Sequence, residues 1–208
     1  MMGRWMGAGI GIGGGGGATH AFNAIRNNSM SGAANGSPGT LPTNWNILVP
    51  TGLTRTITVG TQASGPYTVN IIDVNYAGTT SSTSAFQVKM ETATQVAALT
   101  GQAWSESLWF SMPVDHAAIT TFDMQIWEMT NVGALVTVGT SGDLYTNRAS
   151  FARRTFTRTT TGGGTVAFVQ PVVITNSVTS GTAINFTLRI GWPQLEPGAT
   201  ISLPKVTP

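Results

Sequence analysis

Eight carboxylates, two histidines and six tryptophans are the side chains from which this 208-residue sequence could assemble a site. A glycosidase needs two carboxylates facing each other across a cleft. Here Asp73, Glu91, Glu106, Asp115, Asp123, Glu128, Asp143 and Glu196 are dispersed about one per strand or turn, with no D-x-D or E-x-x-E cluster. The same dispersal weakens a calcium site, although a loop using backbone carbonyls would leave no trace in the sequence. His116 is the one credible general base, yet its neighbour Asp115 would point the opposite way on an extended chain, so it reads as a solvated loop histidine. Cysteine is absent, which excludes disulfides and thiolate zinc sites. The G-x-G-x-x-G matches in GAGIGIGGGGG lack the strand before and the helix after that a dinucleotide fingerprint requires. These residues predict no catalytic group, no metal and no cofactor.

The aromatics are more informative. A ring on a wet sheet face can hold the apolar face of a sugar while amide and carboxylate neighbours bond its hydroxyls. If Phe122, Met124 and Ile126 face a core, Asp123, Gln125 and Trp127 face outward together. If Leu108, Phe110 and Met112 face inward, then Ser105, Ser107, Trp109 and Ser111 face out. Trp109 and Trp127 on strands consecutive in sequence could then form one platform, making Trp109, Trp127, Asp123 and Gln125 the candidate carbohydrate-binding residues. Two other readings stay open: both tryptophans line a subunit interface, where aromatics are also enriched, or both lie buried between layers. Trp45 and Trp192 read as structural.

The elements that would position these side chains are strands. Hydrophobic residues make up 41% of the chain, enough for a substantial core, whereas charged residues make up only 9%. The polar surface must therefore consist mainly of Thr, Ser, Asn, Gln and Gly. A net charge of +2 falls short of the clustered charge that nucleic-acid binding needs. No apolar run approaches the roughly 20 residues of a membrane-spanning helix, so no membrane insertion is expected. Nine segments read as strands: 53–59, 67–76, 85–91, 103–112, 122–130, 134–138, 151–160, 165–174 and 183–192. Phe86, Val88 and Met90 alternate with Gln87, Lys89 and Glu91; Ile184, Phe186, Leu188, Ile190 and Trp192 alternate with Asn185, Thr187 and Arg189. Thr92–Leu99 is short and Ala-rich and reads as a loop or single turn. The predicted fold is an all-β antiparallel sandwich over residues 21–208.

Residues 1–20 differ from everything after them, because GAGIGIGGGGG supports neither a helix nor a packed strand by itself. This segment reads as a glycine-rich arm that anchors the domain in an assembly through Trp5, Ile10 and Ile12. It is a poor signal peptide, since its apolar stretch dissolves into glycine.

AFNAIRNNSMSGAANGSPGTLPTNWNI near the start and AINFTLRIGWPQLEPGATIS near the end resemble the boundary motifs of jelly-roll domains in phage and prophage structural proteins, which are related to carbohydrate-binding modules. The opening pattern is carried by Asn23, Asn27, Asn28, Pro38, Gly39, Leu41, Pro42 and Trp45, the closing one by Gln194, Leu195, Glu196 and Gly198. With AFVQPVV in the middle, the resemblance spans about residues 20–203; ISLPKVTP departs from the more usual aromatic ending, and the arm lies outside the pattern. The resemblance implies that Asn27, Asn28, Trp45, Gln194, Leu195 and Glu196 are structural. It further implies a virion component on a phage-like particle surface, a tail or head fibre or receptor-binding module. Such a module is a homo-oligomer, typically a trimer, that displays a sandwich able to bind host glycan. Its arm would contact other virion proteins. The alternatives are a capsid decoration or adaptor protein and, further off, a polysaccharide depolymerase. Deleting residues 1–20 should leave a folded sandwich, read by circular dichroism and thermal melting, and abolish its incorporation into particles; normal incorporation of the truncated protein would refute the anchor.

Overall fold

Alternation of apolar and polar residues drives these segments into strands buried on one face each. A computed structural model describes residues 23–204, so the arm with Trp5, Ile10 and Ile12 lies outside the described residues. Among these residues eleven strands are formed: β1 (Asn46–Leu48), β2 (Leu53–Ser64), β3 (Tyr67–Thr79), β4 (Ser84–Lys89), β5 (Val96–Ala97), β6 (Ala103–Val114), β7 (Phe122–Met129), β8 (Leu135–Asp143), β9 (Ala152–Thr159), β10 (Phe168–Val178) and β11 (Ala183–Pro197). They make two antiparallel sheets. One has the order β1-β4-β10-β7-β8 with β5 on β10, and the other has the order β2-β3-β11-β6-β9. The strand pairs β3-β11-β6-β9 and β4-β10-β7-β8 give the wound order of a jelly roll, so the all-β sandwich read from the sequence is the fold observed.

All nine expected strands are present, with instructive differences. Residues 60–66 lay between the expected strands 53–59 and 67–76, but β2 and β3 pair down to Ser64 opposite Tyr67, leaving only Gly65 and Pro66 as the turn. Val96–Ala97 pairs with β10 inside the stretch expected to be a loop or turn. Residues 163–165 form a 3-10 turn, so β10 starts at Phe168. The only helical elements among the described residues are two such turns, and none is long and apolar enough to cross a membrane.

Apart from Trp192, the inward faces are those expected. Phe86, Val88 and Met90 meet Leu108, Phe110, Met112, Phe122, Met124, Ile126 and Ile184 to Ile190 in one core. Within it Tyr76, Phe86 and Phe186 pack with centroids 4.8–5.0 Å apart. The family-like end motifs meet in space and close the sandwich. The Asn23 amide donates to the Pro193 carbonyl at 3.1 Å, its Oδ1 accepts the Leu195 N–H at 3.0 Å, and the Ala24 N–H reaches the Leu195 carbonyl at 2.7 Å. Asn27 holds its loop by donating to the carbonyls of Ser31 and Thr43 while its own carbonyl accepts the Trp45 indole N–H at 3.1 Å. Asn28 is fully buried beside it. Asn23, Asn27 and Trp45 thereby satisfy backbone groups that burial would otherwise leave unpaired.

Two carboxylates project into the space between the sheets with opposite outcomes. Glu128 is fully buried and accepts two bonds from Arg158, at 3.0 and 2.8 Å, plus the N–H groups of Thr161 and Gly162. Glu106 is fully buried with no partner for either oxygen, and burial holds its carboxyl well above the usual range. The folded state therefore keeps a proton that the unfolded chain releases, and stability falls as pH rises from the unfolded carboxyl range towards the folded value. Glu106→Met, which fits a similar volume without a polar group, should stabilise the domain by about 1–3 kcal/mol at neutral pH and flatten this decline, measured as urea unfolding from pH 5 to 9. An unchanged pH slope would contradict the assignment.

Candidate functional site

Strands β6 and β7 follow each other in sequence but lie in opposite sheets, because the chain crosses over between them. Trp109 and Trp127 therefore sit on the two opposite outer surfaces of the sandwich, and the single platform expected from them does not form. The error has a simple cause: strand periodicity reports which way a side chain faces within its sheet, never which sheet holds it.

On the outer face of the β4-β10-β7-β8 sheet, Asp123, Gln125 and Trp127 do share a surface. Trp127 is half-buried and its chemistry is largely spent within the chain. Its indole N–H donates to Gln125 Oε1 at 2.7 Å, and Lys89 Nζ sits 4.9 Å from the ring centroid, over the face a sugar would use.

The other outer face is built differently. Cross-strand register places Gly60, Ile71, Gly191, Trp109 and Arg153 in one row across β2-β3-β11-β6-β9. Trp109 does point outward, as expected, but it is only 3% exposed. Val69 and Ile71 pack against it together with the half-buried Tyr67, Phe151 and Trp192. Tyr67, Trp109 and Trp192 meet edge to face, with centroids 5.7–6.3 Å apart, and the Trp109 N–H donates to Ser64 Oγ at 2.9 Å. Trp109 is thus the floor, and Tyr67, Phe151 and Trp192 are the accessible rings.

Trp192 was expected on the inner face with Ile184 to Ile190, and a bulge moves it out. β11 pairs with β6 in one register from Arg189 to Gly191, which lies opposite Trp109, and resumes only at Gln194 opposite Ser107. Extra residues in one strand shift its face alternation. Gly191 permits this, since a Cβ there would lie 2.6 Å from Val69 Cγ1. Trp192 carries φ +33°, a sparsely populated conformation for a bulky residue, and its indole N–H is buried without an acceptor. A strained aromatic turned onto an outer sheet face is the feature that periodicity misses; the Gly-Trp-Pro step was its only signal in the sequence.

Polar groups extend the surface on both sides. Arg189 forms a two-pronged pair with Asp73 at 2.7 and 2.6 Å and also donates to Gln62; Asp73 strengthens its hold on its proton. Asn75 bridges Asn185 and Thr187 at 3.1 Å each. On the far side Arg153 lies 5.4 Å from the Trp109 ring centroid. Gln194 and Glu196 are buried there, holding Ser202 of the closing segment through bonds of 2.6–2.9 Å, so with Leu195 in the core the three closing-motif residues act as structure.

Several of the groups suited to catalysis are engaged elsewhere. Asp115 is bound by Arg148, which holds its carboxyl below the usual range, and His116 Nδ1 accepts the Ala118 N–H at 3.2 Å, so Asp115 does not orient the imidazole. Glu91 and Glu128 are likewise paired with arginines. No group of three or more His, Cys, Asp or Glu side chains able to hold a metal occurs among the described residues. Trp109→Ala should cost about 3–5 kcal/mol of stability by opening a cavity under the aromatic cluster, whereas Tyr67→Ala should cost clearly less; equal losses in chemical denaturation would contradict the floor-and-rim arrangement.

No family model matches this chain, and neither does any curated protein. Solved structures with a similar strand arrangement include a carbohydrate-binding module of the β-sandwich superfamily, at 14% identity and a TM-score of 0.49 over 73% of this chain and 56% of that one. The CBM22-1 xylan-binding domain from Paenibacillus barcinonensis Xyn10C is similar at 10% identity and a TM-score of 0.39, over 76% of this chain and 88% of that one. The enzymatically active domain of bacteriophage CBA120 tailspike protein 4 is similar at 15% identity and a TM-score of 0.36, over 74% of this chain and 19% of that one. This chain thus spans just over half of the first of these and about a fifth of the tailspike.

Proposed function

We propose that this protein is a non-enzymatic glycan-binding sandwich, and that the outer face of β2-β3-β11-β6-β9 is its binding surface. The observation that carries the reading is the set of half-buried rings Tyr67, Phe151 and Trp192 seated on the buried Trp109. Rings so placed supply the apolar contact a sugar face needs, and Gln62, Asp73, Asn75 and Arg189 stand nearby on the same face to bond hydroxyls. Preorganisation supports it too. The Trp109 floor is fixed by its bond to Ser64, so little side-chain freedom remains to be lost on binding.

In the fuller form of this proposal the sandwich is displayed on a phage-like particle as a fibre or receptor-binding module. Residues 1–20 would dock it to other virion proteins, the unit would be a homotrimer, and the ligand would be a host surface polysaccharide. What supports that form is the pair of family-like end motifs and their mutual contact through Asn23 and Leu195. A second reading, a capsid decoration or adaptor protein, is favoured by one feature: the rings pack edge to face on one another, as they also do in subunit interfaces.

Glycan-array binding of the purified protein separates the two. The proposal expects binding that falls at least about tenfold in Tyr67→Ala and in Trp192→Ala and is unchanged in Trp127→Ala. Absence of any binding, or loss only in the Trp127 variant, would overturn it.

A further inference from the structure

The charged groups on this face narrow the class of sugar. Arg26, Arg148, Arg158 and Arg189 each pair with a carboxylate. Arg153, beside the aromatic cluster, donates only to neutral acceptors: to Ser107 Oγ from Nε at 3.2 Å and from Nη2 at 2.8 Å, and to the Ser202 carbonyl at 2.9 Å. Its Nη1 has no acceptor among the described residues. Glu196 acts on it through space without forming an ion pair, and burial, the larger effect, loosens its proton. A partly desolvated guanidinium held by neutral groups lacks the planar anion that best satisfies it.

Resting on the glycan reading above, we propose that the surface takes an acidic sugar, a uronic or related sugar acid, with the ring against Tyr67 and Trp192 and the carboxylate received by Arg153. The geometry suits the division of labour. Register puts Arg153 directly opposite Trp109, and its guanidinium lies 5.4 Å from the centroid of the ring on which Tyr67 and Trp192 are seated. Ser107 and Ser202 fix the guanidinium, so its free edge is already oriented before a ligand arrives.

The test prints uronate-containing bacterial polysaccharides beside their carboxyl-reduced counterparts and neutral glycans, and probes them with the full chain. Wild-type protein should bind the native polymer at least about tenfold more tightly than its reduced form. Arg153→Gln should erase that difference, and Arg153→Lys should keep part of it. Equal binding of native and reduced polymers, or binding confined to neutral glycans, overturns the acidic-sugar assignment and leaves the glycan surface standing. Absence of binding to every printed glycan overturns both. Should Arg153→Gln fail to fold, the comparison of native with reduced polymer still decides, since it uses wild-type protein.

Discussion

Strand β11 cannot keep one register with both of its neighbours along its whole length, and the arrangement of this sandwich follows from where it gives way. Up to Gly191 it lies between β3 and β6 with its apolar residues in the core. There the pairing with β3 ends, Trp192 and Pro193 bulge outward, and pairing with β6 resumes at Gln194. Pro193 has no N–H to leave unsatisfied, so it suits the bulge. Beyond it the edge vacated by β3 is taken by Asn23 and Ala24, which bond Pro193 and Leu195. The same break thus places an aromatic on the outer face and opens the seam that the N-terminal segment closes. Adding a side chain at Gly191 would drive it into Val69 and the Asn70 carbonyl, disturbing both.

How much of this the sequence disclosed depends on the physical scale of each feature. Strand identity and inward faces were legible because they rest on local alternation: Phe86, Val88 and Met90, or Phe122, Met124 and Ile126, could be assigned from a few residues each. The placement of Trp109 against Trp127 was not, because sheet membership is a long-range property that adjacent strands do not encode. Trp192 was misplaced for a related reason, since a bulge reverses alternation without a strong compositional mark. Glu106 gave no warning either. A carboxylate on an otherwise apolar strand face looks the same in sequence whether it finds an arginine, as Glu128 does, or nothing.

The two outer faces show how similar residue lists yield different surfaces. Trp127, Gln125 and Lys89 satisfy one another and leave little for a ligand. Trp109, by contrast, is buried beneath rings that remain half open, and beside it Arg153 keeps its Nη1 without an acceptor among the described residues. Unspent capacity held in a fixed frame is what a binding surface offers that a structural surface does not. On that ground the face of β2-β3-β11-β6-β9 is the one proposed to bind.

The most direct measurement is amide chemical-shift mapping of the labelled protein titrated with the tightest-binding polysaccharide fragment from the array. The account predicts perturbations confined to β3, β11, β6 and β9 around Tyr67, Trp109, Arg153 and Trp192. Perturbations centred on Trp127, Gln125 and Lys89 of the opposite sheet would contradict it.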